Sequence, residues 1–206
     1  MIPIPIELNN LMDRGANMAG FVPLLYSIAR DYRNGQRGIK TMVEIGVRGG
    51  ISTNSFLYGL RDRSNKHSHM RLYSIDINDC SGVVKDNTLK KYWEFILGDS
   101  KKVIKTWDKG DIDVLLIDGD HSFEGVRDDF RFWEPYVKEG GIILLHDVLW
   151  PHKGVIKFFW DGIWYPKVAL PLSKSGLGIV YKLAGEPPYY DEAKIRFGHD
   201  GIKQGK

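Results

Sequence analysis

A single cysteine, Cys80, stands in 206 residues, so no intramolecular disulfide can form and no thiolate metal site can be assembled. A reducing compartment is the expected setting. Charge of one sign is also scarce: 29 lysines and arginines against 26 aspartates and glutamates leave a net charge of +3, without the clustered basic surplus of a nucleic-acid binder. Nucleic acid is therefore not an expected partner. No run of about 18 apolar residues occurs, so no membrane-spanning helix is expected. Met1 to Asn10 shows no basic start, long apolar stretch or small-residue cleavage site, so the expected location is the cytoplasm. Repeats and low-complexity tracts are missing as well. What remains, 43% hydrophobic and 27% charged residues, suits one globular domain with a full core, and the length is too short for two ordinary ones.

Apolar runs of strand length alternate with segments of helical period, the pattern of a parallel sheet with crossover helices, so the fold class is α/β. Strands are predicted over Thr41 to Val47, Arg71 to Ile77, Trp93 to Leu97, Asp111 to Asp118 and Gly141 to Asp147. Helices are predicted over Ile51 to Arg63, Val83 to Tyr92, Ser100 to Trp107 and Ser122 to Val137. The last carries Phe123, Val126, Phe130, Trp133 and Val137 at three- and four-residue steps, a stripe suited to packing on a sheet. A short helix near Lys153 to Trp160 follows. Lys167 to Leu172 and Leu177 to Leu183 flank Ser173-Lys174-Ser175-Gly176, a turn composition that predicts an antiparallel hairpin. Leu11 to Tyr32 reads as one or two helices covering an edge or a substrate pocket. Residues 1–40 are thus expected to form a helical cover, 41–184 the α/β domain, and 185–206 a polar tail rich in proline and glycine.

Five constellations carry chemistry. Val43-Glu44-Ile45-Gly46-Val47-Arg48-Gly49-Gly50-Ile51-Ser52 runs from a strand through a glycine-rich turn into a helix, where a ligand can approach the backbone at Gly46 and Gly50. Arg48 stands where the dinucleotide fingerprint needs its second glycine, so the tight Gly-x-Gly turn is lacking. Ser74-Ile75-Asp76-Ile77 ends the second strand on a carboxylate placed to accept hydrogen bonds from ribose hydroxyls, or to cap a loop. In Gly98-Asp99-Ser100 the acid either meets an adenine amino group or caps the next helix. Asp118-Gly119-Asp120-His121-Ser122 crowds two acids and an imidazole at the end of the fourth strand; Ser122 can cap the helix, and Glu124 suits its first turn. Leu144-Leu145-His146-Asp147-Val148 repeats that chemistry on the fifth strand. Acid and imidazole on adjacent strand ends can together hold a divalent metal.

In this order the segments resemble class I S-adenosylmethionine-dependent methyltransferases, most of all the small-molecule O-methyltransferase branch that includes the macrocin and catechol enzymes. The resemblance spans about Thr41 to Leu183, and Asp-Gly-Asp-His is its most specific part. It implies a Rossmann-like fold, a seven-stranded mostly parallel sheet with a C-terminal antiparallel hairpin and flanking helices. It implies S-adenosylmethionine as cofactor and methyl transfer to a hydroxyl of a small molecule or saccharide. Glu44, Gly46 and Gly50 would then line the methionine portion, Asp76 would bind ribose and Asp99 would face adenine, with Ser52, Ile77, Ser100 and Asp118 completing the cofactor contacts. Asp118 and Asp147 match the carboxylate metal ligands of the metal-dependent branch. Asp147, however, has His146 and Val148 as neighbours where that branch carries an Asp-Asn or Glu-Asp pair; the departure either removes the metal or makes His146 its third ligand, which would tilt selection from magnesium toward manganese, iron or zinc.

His121 sits three residues after Asp118, where the catechol-type enzymes carry their basic residue, so the resemblance implies it as general base, with Asp147 as the second catalytic residue. Trp150, Trp160 and Trp164 come after the fifth strand, where the resemblance implies residues that shape the acceptor pocket, while His67, His69, His152 and His199 read as surface or loop residues. The partner is a small-molecule acceptor, and a homo-oligomer is compatible with the sequence. Two alternatives stay open: a nicotinamide-dependent oxidoreductase on a related sheet, disfavoured by the missing glycine, and a non-catalytic nucleoside-binding module.

Overall fold

Thr41–Ile45 (β1) and Ile112–Ile117 (β4) are short apolar runs buried along almost their whole length, as the centre of a sheet covered on both faces requires. They pair in parallel, with Met42 opposite Val114 and Ile45 opposite Ile117. Arg71–Asp76 (β2) and Trp93–Leu97 (β3) extend the sheet on the β1 side, and Val137–His146 (β5) on the β4 side, all parallel. Leu177–Tyr181 (β7) runs antiparallel to β5 and to the edge strand Lys167–Leu170 (β6), which gives the order β3-β2-β1-β4-β5-β7-β6. This computed structural model describes residues 5–34, 37–63 and 69–185, so the expected tail beyond 185 and the histidines at 67 and 199 lie outside the described residues.

Alternation along the strands divides the core between the two faces. Met42, Leu72, Val114 and Leu116 point to one side, beneath the helices Val22–Asp31 (α1) and Ile51–Asp62 (α2). Val43, Leu115, Ile117 and Leu145 point to the other, beneath Ser100–Val103 (α3), Phe123–Trp133 (α4) and Lys153–Lys157 (α5). The amphipathic stripe read in the sequence is the inward face of α4, where Val126, Phe130 and Trp133 are buried.

The helix α1 lies close against α2 because Gly59 offers no side chain; a Cβ there would stand 2.4 Å from the Tyr26 carbonyl oxygen. Buried Arg63 closes the C-terminal end of α1, donating to the carbonyls of Ala29 at 2.9 Å and Tyr32 at 2.8 Å. Before α1, Leu8, Leu11, Met18 and Phe21 enter the same core, and Phe21 reaches the ring of His146 edge-on at 6.1 Å.

Three expected elements differ. No helix spans Val83 to Tyr92: the segment is turns and coil that end in a 3₁₀ turn over Lys90–Tyr92. Asp86 takes the Thr88 N–H at 2.8 Å, so a side chain captures a donor that the expected helix would need. The helix α4 stops at Trp133 instead of Val137, because Pro135 has no N–H and the chain tightens into a 3₁₀ turn over Glu134–Tyr136. Strand β5 accordingly begins at Val137, with a register shift opposite Ile112 and Val114.

Candidate active site

Strand order reverses between β1 and β4, and at this switch point an open sheet forms a crevice beyond its carboxyl edge. Gly46 makes the close approach possible: its φ is +89°, and a Cβ would lie 2.1 Å from the Asp118 carbonyl oxygen. The Gly46 N–H donates to Ile75 O and the Asp118 N–H to Ile45 O, so the three strand ends are tied together. Gly50, also left-handed at φ +72°, turns the chain into α2 and has Val83 packed against it.

A cavity of about 810 Å³ lies across these strand ends. Gly46, Asp76, Ile77, Asp99, Ser100, Asp118 and His121 line it, as do Asp120, Asn78, Cys80, Lys101 and Asp129. Asp76 Oδ2 receives the N–H groups of Val47 at 2.8 Å and Arg48 at 3.2 Å, and its Oδ1 receives Asn78 N–H at 2.8 Å. Burial opposes its ionisation, but the backbone donors of Asn78, Val47 and Arg48 outweigh that and hold the carboxyl below its usual range. Ile77 sits at the mouth with 74% of its surface exposed. Asp99 caps α3 by accepting the Lys101 N–H at 2.9 Å.

Glu44, Gly50 and Ser52, expected at the cofactor, are not among the lining residues. Glu44 is fully buried behind the wall, where its carboxyl accepts from Ser52 at 2.5 Å, Thr53 at 2.7 Å and Ser74 at 2.7 Å. Desolvation pushes it up to about 7 against the pull of those hydroxyls. The cage joins β1, the start of α2 and β2 beneath the glycine-rich turn. Asp129, overlooked in the sequence because it falls mid-helix, reaches the cavity from α4, accepts the Ser100 hydroxyl, and is pushed up to about 6 by burial.

At one end of the cavity the acids and imidazoles of β4 and β5 meet. His146 Nδ1 lies 3.1 Å from Asp118 Oδ1 and 3.3 Å from Asp147 Oδ1, while its Nε2 contacts Ser175 Oγ at 2.9 Å. His121 Nε2 is 2.9 Å from Asp147 Oδ2 and 3.5 Å from Asp118 Oδ1. That nitrogen is nonetheless buried without an aligned hydrogen bond; the attraction is charge on charge, which needs no N–H axis. The Asp118 and Asp147 carboxylates push His121 up to about 9 despite burial. Burial pulls His146 down, but the same two acids outweigh it and also bring it to about 9. Both carboxyls are held low: burial opposes ionisation in each, and the two imidazoles outweigh it. His152, read as a surface or loop residue, stacks on His121 with ring centroids 4.0 Å apart and 18° between planes. Its position in a loop after a proline gave no periodic signal. The indoles of Trp150, Trp160 and Trp164 are half exposed and do not line the cavity.

Comparison with known proteins agrees with this architecture. Residues 43–148 match the methyltransferase domain family. Among solved structures, the O-methyltransferase TomG of Streptomyces achromogenes, involved in tomaymycin synthesis and solved with SAM, superposes with a TM-score of 0.65 at 14% identity, covering 89% of this chain and 92% of that one. An O-methyltransferase from Bacillus cereus, solved with SAH, gives 0.61 at 19% identity over 88% and 93% of the two chains. The SAH-bound methyltransferase PaMTH1 of Podospora anserina gives 0.61 at 17% identity over 87% and 89%. A curated relative, the uncharacterized protein R132 of Acanthamoeba polyphaga mimivirus, is 35% identical over 63 residues, so the match spans 31% of this chain and 24% of that protein. With its seven strands in the order β3-β2-β1-β4-β5-β7-β6 and a family match that runs from β1 to the end of β5, the chain belongs to the methyltransferase domain family and has the class I methyltransferase fold.

Proposed function

We propose that the protein transfers a methyl group from S-adenosylmethionine to a hydroxyl of a small molecule. The observation that carries this reading is the cavity across the ends of β1 to β4, with Asp76 and Asp99 along it and the His121, Asp118 and Asp147 cluster at its end. The lining fits the cofactor. Asp76 offers carboxylate oxygens to a ribose diol, Asp99 and Ser100 stand where an adenine edge would come, and the acids complement a sulfonium cation. Glu44 and Ser52 support the reading from behind the wall, by fixing the turn rather than by contact. S-adenosylmethionine, when bound, supplies a methyl group on positive sulfur, open to in-line displacement.

The chain's own task is to bring an acceptor oxygen into line and remove its proton. His121 is placed for that step: it faces the cavity, and Asp118 and Asp147 stabilise the imidazolium that forms when the proton arrives. With S-adenosylmethionine bound, displacement at its methyl carbon would leave the bonding electron pair on sulfur, and the acceptor hydroxyl would give its proton to the His121 imidazole. A second reading of the cluster is favoured by the unaligned, buried His121 nitrogen. Asp118, His146 and Asp147, or His121, Asp147 and His152, have donor atoms close enough to hold a divalent cation, which when bound would lower the pKa of an acceptor hydroxyl.

The test is transfer of label from methyl-labelled S-adenosylmethionine to a panel of catechols, phenols and hydroxylated sugars. Label must appear in a small-molecule product and fall with Asp76→Ala. Label confined to protein, or absent across a panel that includes crude metabolite extract, refutes the proposal.

A further inference from the structure

A hairpin turn at the rim of a sheet ordinarily keeps its polar side chains in water, and Ser173-Lys174-Ser175-Gly176 reads in the sequence as nothing more than such a turn. Ser175 breaks the pattern. It is fully buried, and its hydroxyl lies 2.9 Å from His146 Nε2 and 2.9 Å from Ser173 Oγ. The ring it meets is gripped on other sides as well: Phe21 packs edge-on at 6.1 Å, and Nδ1 faces the carboxylates, 3.1 Å from Asp118 Oδ1 and 3.3 Å from Asp147 Oδ1. Facing acceptors, Nδ1 keeps its hydrogen, and Ser175 holds the ring from outside the cluster.

The backbone of the same turn grips the next residues. Asp147 has φ +62°, a left-handed conformation that a residue with a Cβ rarely adopts, and strain of this kind persists only where the surroundings enforce it. Here the turn enforces it. The Asp147 N–H donates to Gly176 O at 3.1 Å and the Leu149 N–H to Ser175 O at 2.8 Å. Gly176 is needed for that fit, with φ +71° and a Cβ that would lie 2.5 Å from Leu149 Cγ. One turn thus fixes His146 through a side chain and Asp147 through the backbone.

We propose that Ser175 is a positioning residue for the proton transfer to His121, acting through His146 from outside the cavity. With Nε2 pinned, His146 holds Oδ1 of each acid through Nδ1, which fixes both carboxylates and leaves Asp147 Oδ2 turned to His121 Nε2, 2.9 Å away. His121 is aimed in turn. A misplacement of about 1 Å can cost about a hundredfold in rate, so a residue that never meets substrate has a large effect on turnover. The hydroxyl serves this purpose and not the closing of the turn, whose backbone hydrogen bonds need no side chain at position 175. The inference rests on the methyl-transfer reading for the proton that His121 accepts, while the chain of contacts from Ser175 to His121 is independent of it.

The experiment compares the full native chain with Ser175→Ala, Ser175→Cys and Tyr165→Phe. The last removes a buried hydroxyl 3.0 Å from Glu134, just before the start of β5, and controls for lost stability alone. Isotope-labelled histidine gives the imidazole resonances of His121 and His146, and S-adenosylhomocysteine affinity is measured in parallel. In Ser175→Ala both imidazoles should shift, His121 included although it is reached only through His146 and the two acids. Cysteine keeps a weaker hydrogen-bonding group in similar volume and should fall between. S-adenosylhomocysteine affinity should be unchanged, because Ser175 is not among the cavity's lining residues. With an acceptor from the labelled panel, kcat in Ser175→Ala should fall about tenfold or more at unchanged KM. His121 resonances that stay in place in Ser175→Ala, a shift as large in Tyr165→Phe, or a native kcat in Ser175→Ala would each overturn the proposal, and Ser175→Cys carries the same comparison if Ser175→Ala does not fold. A shifted His121 in a protein that ignores S-adenosylhomocysteine and transfers no label would leave the chain of contacts standing and sink the methyl-transfer reading; label transfer at the native rate in Ser175→Ala would do the reverse.

Discussion

Replacing Glu44 by glutamine should make the protein more stable at pH 8 and change little at pH 5. The carboxyl is fully buried, and desolvation raises it from the ordinary 4.5 to about 7. Between those values the unfolded chain gives up the proton while the folded protein keeps it. The folded state thus binds more protons, and stability falls as pH rises through this window, levelling off above about 7. At about 1.4 kcal/mol for each tenfold change in the ionisation equilibrium, the span amounts to roughly 3 kcal/mol. Glutamine mimics the protonated acid. Its carbonyl can sit at the Oε2 position, which receives Thr53 and Ser74, and its amide can face Ser52, whose hydroxyl is free to turn and accept. Urea unfolding of both proteins at several pH values isolates the effect, because every other titrating group is common to the two. The glutamine variant should gain on the native protein by about 3 kcal/mol between pH 4 and pH 8. A difference independent of pH, or a glutamine variant that is weaker at pH 8, would refute the assignment of the buried proton to Glu44.

Three further outcomes follow from the same geometry. Once an acceptor is known, His121→Ala should lower turnover by about a hundredfold or more, and in the native protein the rising limb of rate against pH should reach to about 9 rather than flatten near an unperturbed imidazole's 6.5, since only the neutral ring accepts a proton. Gly46→Ala should lose several kcal/mol in chemical denaturation or fail to fold, because a Cβ would sit 2.1 Å from the Asp118 carbonyl oxygen at a φ of +89°. Ser122→Ala should cost about 1 kcal/mol of unfolding free energy, since the hydroxyl takes the Gly125 N–H at 2.9 Å as the cap of α4, and should leave S-adenosylhomocysteine affinity alone.

The sheet was legible because its strands are short apolar runs that stop at acids and glycines, and that is also where the lining residues Asp76, Asp99, Asp118 and His121 sit. Local competition was not legible. Asp86 draws the Thr88 N–H away from a helix between Val83 and Tyr92, although the segment's apolar spacing suits one. Pairings across the chain were equally hidden: only the fold shows that Ser52, Thr53 and Ser74 wrap Glu44, so a residue expected at the cofactor stands behind it. Asp129 and His152 carried no sequence signal, the one mid-helix and the other in a loop, and tertiary packing alone brings them to Ser100 and His121.

The proposed function turns on whether a nucleoside sulfonium or its product occupies the cavity over β1 to β3. Isothermal titration of the native protein and Asp76→Ala with S-adenosylhomocysteine addresses this directly. One site per chain is expected, weakened at least tenfold by the substitution, about 1.4 kcal/mol for the lost carboxylate contacts to ribose. No heat of binding to the folded native protein, or equal affinity in Asp76→Ala, would contradict it.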